Sequence, residues 1–316
     1  MIVQQIVEQI EKNQRFLVVA HENPDGDAIG STLGLALALK AMGKEVTAFN
    51  ADTVPETMTF LPESEIFCHQ LAETEMYDVA FVLDAGDVER SGLPLRQRCR
   101  ILINIDHHPY STFGDICYVD TSASATAILI YRILNACQFQ LNLNIAKALY
   151  LAILADTGSF RYSSVNEETF TVAGQLIGLG VDPWEMASNL YESYAPERMR
   201  LLGYILPTLE ISDCGRYASV AMSQEMLVQA GATEEHAEGF VNYPRAIRGV
   251  EVALFFNQFS KDHYKVSFRS RGTIDVGSLA RQLGGGGHHN AAGAKIKGSL
   301  GFARSLVAQH LDQLFS

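Results

Sequence analysis

Cysteine is scarce and unpaired in this sequence. The five residues, Cys68, Cys99, Cys117, Cys137 and Cys214, are odd in number and form no C-x-x-C pair. That pattern argues against a disulfide framework or a thiolate zinc ribbon, and buried or neutral thiols in a reducing compartment are expected. Basic charge is also short: 24 Lys and Arg stand against 36 Asp and Glu, a formal net charge of −12. Proteins that grip long duplex nucleic acid through phosphates carry a basic face. The balance here favours a small or short substrate held in a local basic pocket. No charge-free apolar run reaches the roughly 18 residues that span a bilayer. The opening MIVQQIVEQIEKNQRF interrupts its apolar positions with charges, whereas a secretory signal needs an unbroken apolar stretch. A cytoplasmic protein with no membrane partner is expected. Internal repeats are absent, and low complexity is confined to Gly284–Gly287.

What is present is globular: 316 residues, 47% apolar and 19% charged, enough for two domains with cores of their own. The first half alternates helical patterns with apolar runs at Phe16–Ala20, Val46–Asn50, Val79–Asp84, Ile101–Asp106 and, shorter, Tyr118–Asp120. Runs rich in Val, Ile and Phe with little polar alternation suit parallel strands buried on both faces. Between the first two lies an amphipathic helix, Ala28–Met42, stopped by Gly43. This βαβ pattern predicts an α/β fold with a doubly wound, mainly parallel sheet. Helical patterns dominate Ala123–Leu202, and Ser188–Leu206, with Pro196, reads as a connector. Strands follow near Tyr217–Ser223, Glu251–Phe259, His263–Arg271 and Ala292–Lys297, which predicts a smaller α+β domain. The expected boundaries are 1–190, a helical connector 191–209, and 210–316.

Acidic residues recur where apolar runs end. Phe16–Ala20 leads into His21-Glu-Asn-Pro-Asp25-Gly-Asp27, Phe81–Leu83 into Asp84 with Asp87 beyond, Ile101–Ile105 into Asp106-His107-His108, and Leu149–Ala155 into Asp156. In open α/β sheets, ligands bind outside the carboxyl ends of the strands. Asp25-Gly26 also reads as a plain turn, with Asp27 as the cap of the next helix. If Leu149–Ala155 is a helix, Asp156 lies at its negative end, where a carboxylate needs a positive neighbour. Four such sites together are hard to explain as caps. Crowded carboxylates raise one another's pKa unless a cation neutralises them. Carboxylate oxygens with imidazole favour Mn²⁺ or Mg²⁺ over a thiolate-bound metal, and this many ligands suggest two ions.

Asp106-His107-His108 resembles the motif that names the DHH phosphoesterases, a superfamily that includes the RecJ-type exonucleases. His21…Asp25-Gly-Asp27, Asp84 and Asp156-Thr-Gly-Ser-Phe160 resemble its other N-terminal motifs in the same order. Gly285-Gly-Gly-His288-His-Asn290-Ala-Ala-Gly293 resembles the signature of the DHH-associated substrate domain. The compact chain is most similar to the stand-alone nanoRNase branch. The resemblance implies hydrolysis of short single-stranded oligonucleotides to mononucleotides, and removal of a phosphate from 3′-phosphoadenosine 5′-phosphate (pAp). It further implies two divalent ions, Mn²⁺ ahead of Mg²⁺. One would take His21, Asp25 and Asp84; the other Asp27, Asp84, His107 and Asp156, with Asp84 bridging. Asp106 would orient an imidazole from outside the ligand set, His108 would face the substrate phosphate, and Asp87 would stand aside. Where the family often has Glu, this chain has Ala127; that position is not a metal ligand.

Two such ions lower the pKa of a water and stabilise charge on the phosphate oxygens. Substrate positioning falls to the C-terminal half. Strand alternation along Lys265–Arg271 would put Lys265, Ser267, Arg269 and Arg271 on one face, either as a solvated edge or as an anion cradle. The glycine run reads as a linker by composition, or as a loop whose N–H groups nest an anion. With the resemblance, Arg269, Arg271, Gly286, Gly287, His288 and Asn290 become the expected phosphate contacts, and an active-site cleft between the domains is expected. A cyclic di-AMP or pApA phosphodiesterase would use the same metals and stays open as an alternative. A non-hydrolysing nucleotide sensor has less support, because every expected ligand type is present. A homodimer is left open.

Overall fold

Five apolar runs of the first half become parallel strands. β1 (Arg15–Val19), β2 (Glu45–Phe49), β3 (Phe67–Cys68), β4 (Tyr77–Leu83), β5 (Cys99–Asp106) and β6 (Ile116–Val119) form one sheet in the order β3-β2-β1-β4-β5-β6. Every pairing in it is parallel. The order reverses between β1 and β4, which opens a crevice at their carboxyl ends. The computed structural model describes residues 2–109, 111–287 and 289–315, in two compact units, 1–193 and 194–316.

In the first unit, six helices accompany the sheet: α1 (Ile2–Lys12), α2 (Gly26–Ala41), α3 (Thr126–Ala136), α4 (Leu143–Asp156), α5 (Glu167–Gly178) and α6 (Pro183–Tyr191). Their apolar faces join Phe16, Val18, Phe81 and Ile103 in the larger core. Leu17, Val19, Ala80 and Val82 face the other way, as alternation requires. They are covered by the turns that carry Leu71, Val88 and Leu95. Helix α2 starts two residues earlier than its apolar pattern, because Asp25 caps it, accepting from Asp27 N and Ala28 N. Asp27 is therefore free for another role. The run Leu149–Ala155 lies within helix α4, so Asp156 does sit at a helix C-terminus.

Helices α2 and α4 pack against each other along Gly26, Gly30 and Gly34. A Cβ on Gly30 would stand 2.4 Å from Ala148 O and 2.8 Å from Ala152 Cβ, and one on Gly26 2.3 Å from Ala155 Cβ. Only hydrogen at these positions permits that approach. The contact sets the start of α2, with Asp27, beside the end of α4, with Asp156.

The second unit is a mixed sheet of β7 (Glu210–Ile211), β8 (Tyr217–Met222), β9 (Val252–Ser260), β10 (His263–Ser270), β11 (Gly286–Gly287) and β12 (Ala291–Lys297), in the order β11-β12-β10-β9-β8-β7. With them come α7 (Pro196–Ile205), α8 (Gln224–Ala230), α9 (Asn242–Arg245), α10 (Val276–Gln282) and α11 (Leu300–Phe315). Strand β9 is buried on both faces: Val252, Leu254 and Phe256 join one core, and Ala253 and Phe255 the other. Helix α7, in the stretch read as a connector, packs Leu201, Leu202 and Ile205 into that second core. No helix of the described residues is long and apolar enough to cross a membrane.

Candidate metal centre

The loops after β1, β4 and β5 and the facing ends of α2 and α4 bring one cluster together. His21, Asp25 and Asp84 offer ligand atoms within 4.8 Å of one another. So do Asp27, His107 and Asp156, and also Asp84, His107 and His108. Asp84 and His107 each belong to two of these sets. Asp84 has φ +56°, a left-handed backbone that Asp tolerates better than most residues. Strain of this kind persists only where surrounding contacts enforce it.

Both inner imidazoles are oriented from behind. His21 Nδ1 lies 2.7 Å from Glu22 O, and His107 Nδ1 lies 3.2 Å from Ala123 O. A carbonyl only accepts, so each Nδ1 is the donor, and each Nε2 faces the cluster with a lone pair to offer a metal once it carries no proton. His21 Nε2 stands 3.8 Å from Asp84 and 3.9 Å from Asp25. His107 Nε2 stands 3.4 Å from Asp156, 3.5 Å from Asp84 and 3.9 Å from Asp27. His107 Nε2 is buried and has no hydrogen-bond partner, which is uncommon for a buried polar atom. An imidazole lone pair facing carboxylate oxygens is a repulsive arrangement unless a cation or a proton lies between them. The donor set thus fits divalent metal.

The electrostatics agree. Burial, with the charges of Asp84 and Asp156, raises the Asp27 carboxyl well above its ordinary value. Burial, with Asp84 and Asp25, pushes Asp156 up to about 7 despite the opposing pull of His107. Burial alone would lower His107 and His108, yet Asp84 and its neighbours hold His107 up at about 10, and Asp106 with Asp84 hold His108 up at about 11. Asp84 also resists burial, and its contacts with His107 and His108 keep its carboxyl well below the usual range. Protons on the imidazoles and on some carboxyls neutralise a cluster that bound cations would neutralise otherwise.

Asp106 lies outside the three ligand sets. Its oxygens accept from Gly86 N (2.6 Å), His108 N (2.8 Å) and His108 Nδ1 (2.9 Å). Asp87 caps the short turn Val88–Ser91, accepting from Glu89 N, and lies outside the three ligand sets.

The residues expected to hold phosphate lie in the second unit, and the structure revises their surroundings. Lys265, Ser267 and Arg269 alternate with the core residues Tyr264, Val266 and Phe268. Arg271 does not share that strand. It lies past the end of β10, where its N–H donates to Glu251 O at 2.8 Å. Gly286 and Gly287 are not an open loop but pair as β11 with Gly293 and Ala292 of β12. A Cβ on Gly285 would meet Gly293 O at 2.1 Å, so the run serves close strand approach. Asn290 Nδ2 donates to Ser270 Oγ (2.9 Å) and Gly272 O (3.1 Å), which commits its amide hydrogens to the turn. His288 lies outside the described residues. The five cysteines are free; four are half-buried and Cys214 is exposed.

Sequence reasoning passed over Ser31 and Thr126. Ser31 Oγ donates to Asp27 Oδ1 at 2.7 Å, Thr126 N donates to Asp27 Oδ2 at 2.5 Å, and Thr126 Oγ1 donates to Asp84 Oδ1 at 3.1 Å. The i,i+4 spacing of Asp27 and Ser31 was visible. So was the spacing of four between Gly26, Gly30 and Gly34. The partnership with Thr126, 99 residues away from Asp27, was not.

Residues 15–153 match the model of the DHH family, N-terminal domain, and residues 217–315 match the DHHA1 domain. The chain is 35% identical over 283 residues to a bifunctional oligoribonuclease and PAP phosphatase NrnA of Thermus thermophilus, covering 89% of this chain and 84% of that one. Among solved structures, an exopolyphosphatase-related protein from Bacteroides fragilis is 27% identical with a TM-score of 0.93, covering 99% of this chain and 96% of that one. RecJ of Thermus thermophilus in complex with Mn²⁺ shares the fold, at 14% identity and a TM-score of 0.53, covering 97% of this chain and 53% of that one.

Proposed function

This chain belongs to the DHH family of metal-dependent phosphoesterases, and from that premise we propose that it hydrolyses short oligoribonucleotides to mononucleotides and dephosphorylates pAp. The observation that carries the metal half of this reading is the buried, unpartnered His107 Nε2 among three carboxylates. The substrate half rests on the similarity to oligoribonuclease and PAP phosphatase relatives.

In this reading, His21, Asp25 and Asp84 hold one divalent ion, and Asp27, Asp84, His107 and Asp156 hold a second. Mn²⁺ is preferred on the mixed oxygen and imidazole donors, with Mg²⁺ as the alternative. Such ions, when bound, lower the pKa of water and stabilise charge on phosphate oxygens. The chain's own residues do the rest. Asp106 fixes His108 through Nδ1, and His108 faces the substrate phosphate in this reading. Burial of Asp27 and Asp84, each about 1% exposed, keeps the charges strong by excluding water. In the second unit, Arg269 on β10 offers a guanidinium for a second phosphate of the substrate. His288 and Arg271 join it in this proposal, with support from the resemblance alone, as do Gly286, Gly287 and Asn290 in whatever part their pairings leave them.

Purified protein assayed in parallel on pAp, a short RNA and cyclic di-AMP, with Mn²⁺ and with chelator, tests the reading. Mn²⁺-dependent release of mononucleotides and of phosphate from pAp is expected. Turnover of cyclic di-AMP alone would replace it with the cyclic dinucleotide reading, and full activity in chelator would remove the metals.

A further inference from the structure

Helix α3 begins without a cap of its own. Its N-cap residue is Ala125, which has no side-chain acceptor to offer, and the first N–H groups of a helix need acceptors. The acceptor comes from a distant segment. Asp27 takes Thr126 N at 2.5 Å on Oδ2 and Ala127 N at 3.1 Å on Oδ1. Ser31 Oγ occupies Asp27 Oδ1 as well. A carboxylate has about four lone-pair sites, so three of those on Asp27 are engaged and its orientation is set.

The Thr126 side chain goes elsewhere. It is fully buried and donates its hydroxyl to Asp84 Oδ1. At the first position of a helix no carbonyl four residues back is available to it, so Asp84 is its acceptor. Asp84 is the left-handed residue, whose backbone strain has to be offset by contacts on its side chain. One residue thus binds Asp27 through its backbone and Asp84 through its side chain, and in the proposed reading Asp27 serves the second ion while Asp84 serves both.

We infer that Thr126 is a positioning residue of the metal centre: it locks Asp27 and Asp84 in register, so that the two ligand sets can be filled together. The inference rests on the metal reading above. Helix α3, which supplies no ligand, becomes the splint on which the two carboxylates are aligned. Partners of this kind, which hold ligands rather than bind metal, strengthen metal binding by about 10- to 100-fold.

Thr126→Ser and Thr126→Ala test it. Both lose the γ-methyl and both keep the N–H bond to Asp27, so only the hydroxyl separates them. Mn²⁺ binding is read by titration calorimetry, and coupling between the two ions by the electron paramagnetic resonance spectrum of the loaded protein. Thr126→Ser should bind close to wild type, whereas Thr126→Ala should lose at least about 10-fold in affinity for one ion and show weakened coupling. Equal affinities and spectra for the two variants would overturn the inference, since the hydroxyl would then have no part. Wild-type protein that binds no Mn²⁺ would overturn the metal reading itself, a result separable from the first because it needs no variant.

Discussion

Asp84 combines three properties that rarely meet in one residue. It is buried, its backbone is left-handed, and three histidines surround it, His21 at 3.8 Å, His107 at 3.5 Å and His108 at 3.2 Å. Asn is the informative replacement, because it keeps the shape and tolerates the left-handed backbone, whereas Ala would add strain. Asp84→Asn should abolish Mn²⁺-dependent hydrolysis while leaving the far-ultraviolet circular dichroism intact. It should also remove the rise in melting temperature that a bound ion produces. Variant protein that still turns over substrate at the wild-type rate would rule out Asp84 as the shared ligand. His108→Ala should behave differently: metal-induced stabilisation persists while turnover falls, as the proposed role of His108 at the substrate phosphate requires. Calorimetry alongside the kinetics separates the two.

Between elements, the decisive contact is α2 against α4. Gly30→Ala would drive a methyl to 2.4 Å from Ala148 O, and the helices would have to part. A loss of about 1–3 kcal/mol is expected for such overpacking, read from urea denaturation. Because the same contact brings Asp27 towards Asp156, Mn²⁺ affinity should fall as well; unchanged affinity would mean that the ligand geometry does not depend on this packing. A second tie is electrostatic. Arg132 on α3 meets Glu168 of α5 at 2.6 Å and Asp120, beyond β6, at 2.6 Å. The Ser122 hydroxyl and then Arg132 pull Asp120 down to about 2, from 3.8 in an unfolded chain. A carboxyl lowered on folding stabilises the fold above its unfolded value and loses that contribution as the pH falls through its folded value. Asp120→Asn should therefore cost about 1 kcal/mol near neutral pH, in line with partly exposed charge-assisted bonds. The gap between variant and wild type should close as acid approaches pH 2, and a gap independent of pH would show that the charge is not its cause.

For the whole molecule the question is substrate. The first unit carries the carboxylates and imidazoles, and the second carries Lys265, Arg269 and Arg271. A protein with a net charge of −12 repels polyanions at long range, which sets a bias against long nucleic acid before any contact forms. If Arg269 and His288 hold substrate phosphate as proposed, Arg269→Ala and His288→Ala should raise KM on phosphate-ended substrates with little change in kcat.

The metal-ligand candidates were legible in the sequence because parallel strands announce themselves as apolar runs and their ends are marked by a change to Asp or His. Chain order alone put His21, Asp84 and His107 at successive strand ends, and a sheet order that reverses between β1 and β4 then had one crevice to offer. Residue chemistry alone likewise marked carboxylate and imidazole as metal donors. The pairing of Gly286–Gly287 as β11 was not legible, because a glycine run permits both a loop and close strand pairing, and only the partner strand β12 distinguishes them. Thr126, the cap supplied by Asp27, and the left-handed backbone of Asp84 could not be read, because each depends on a neighbour distant in sequence. Local pattern determines which residues can ligate; the packing of α2 on α4 and the seating of α3 on Asp27 decide which of them point at one another, since hydrogen bonds and close packing act over a few ångströms whatever the separation along the chain.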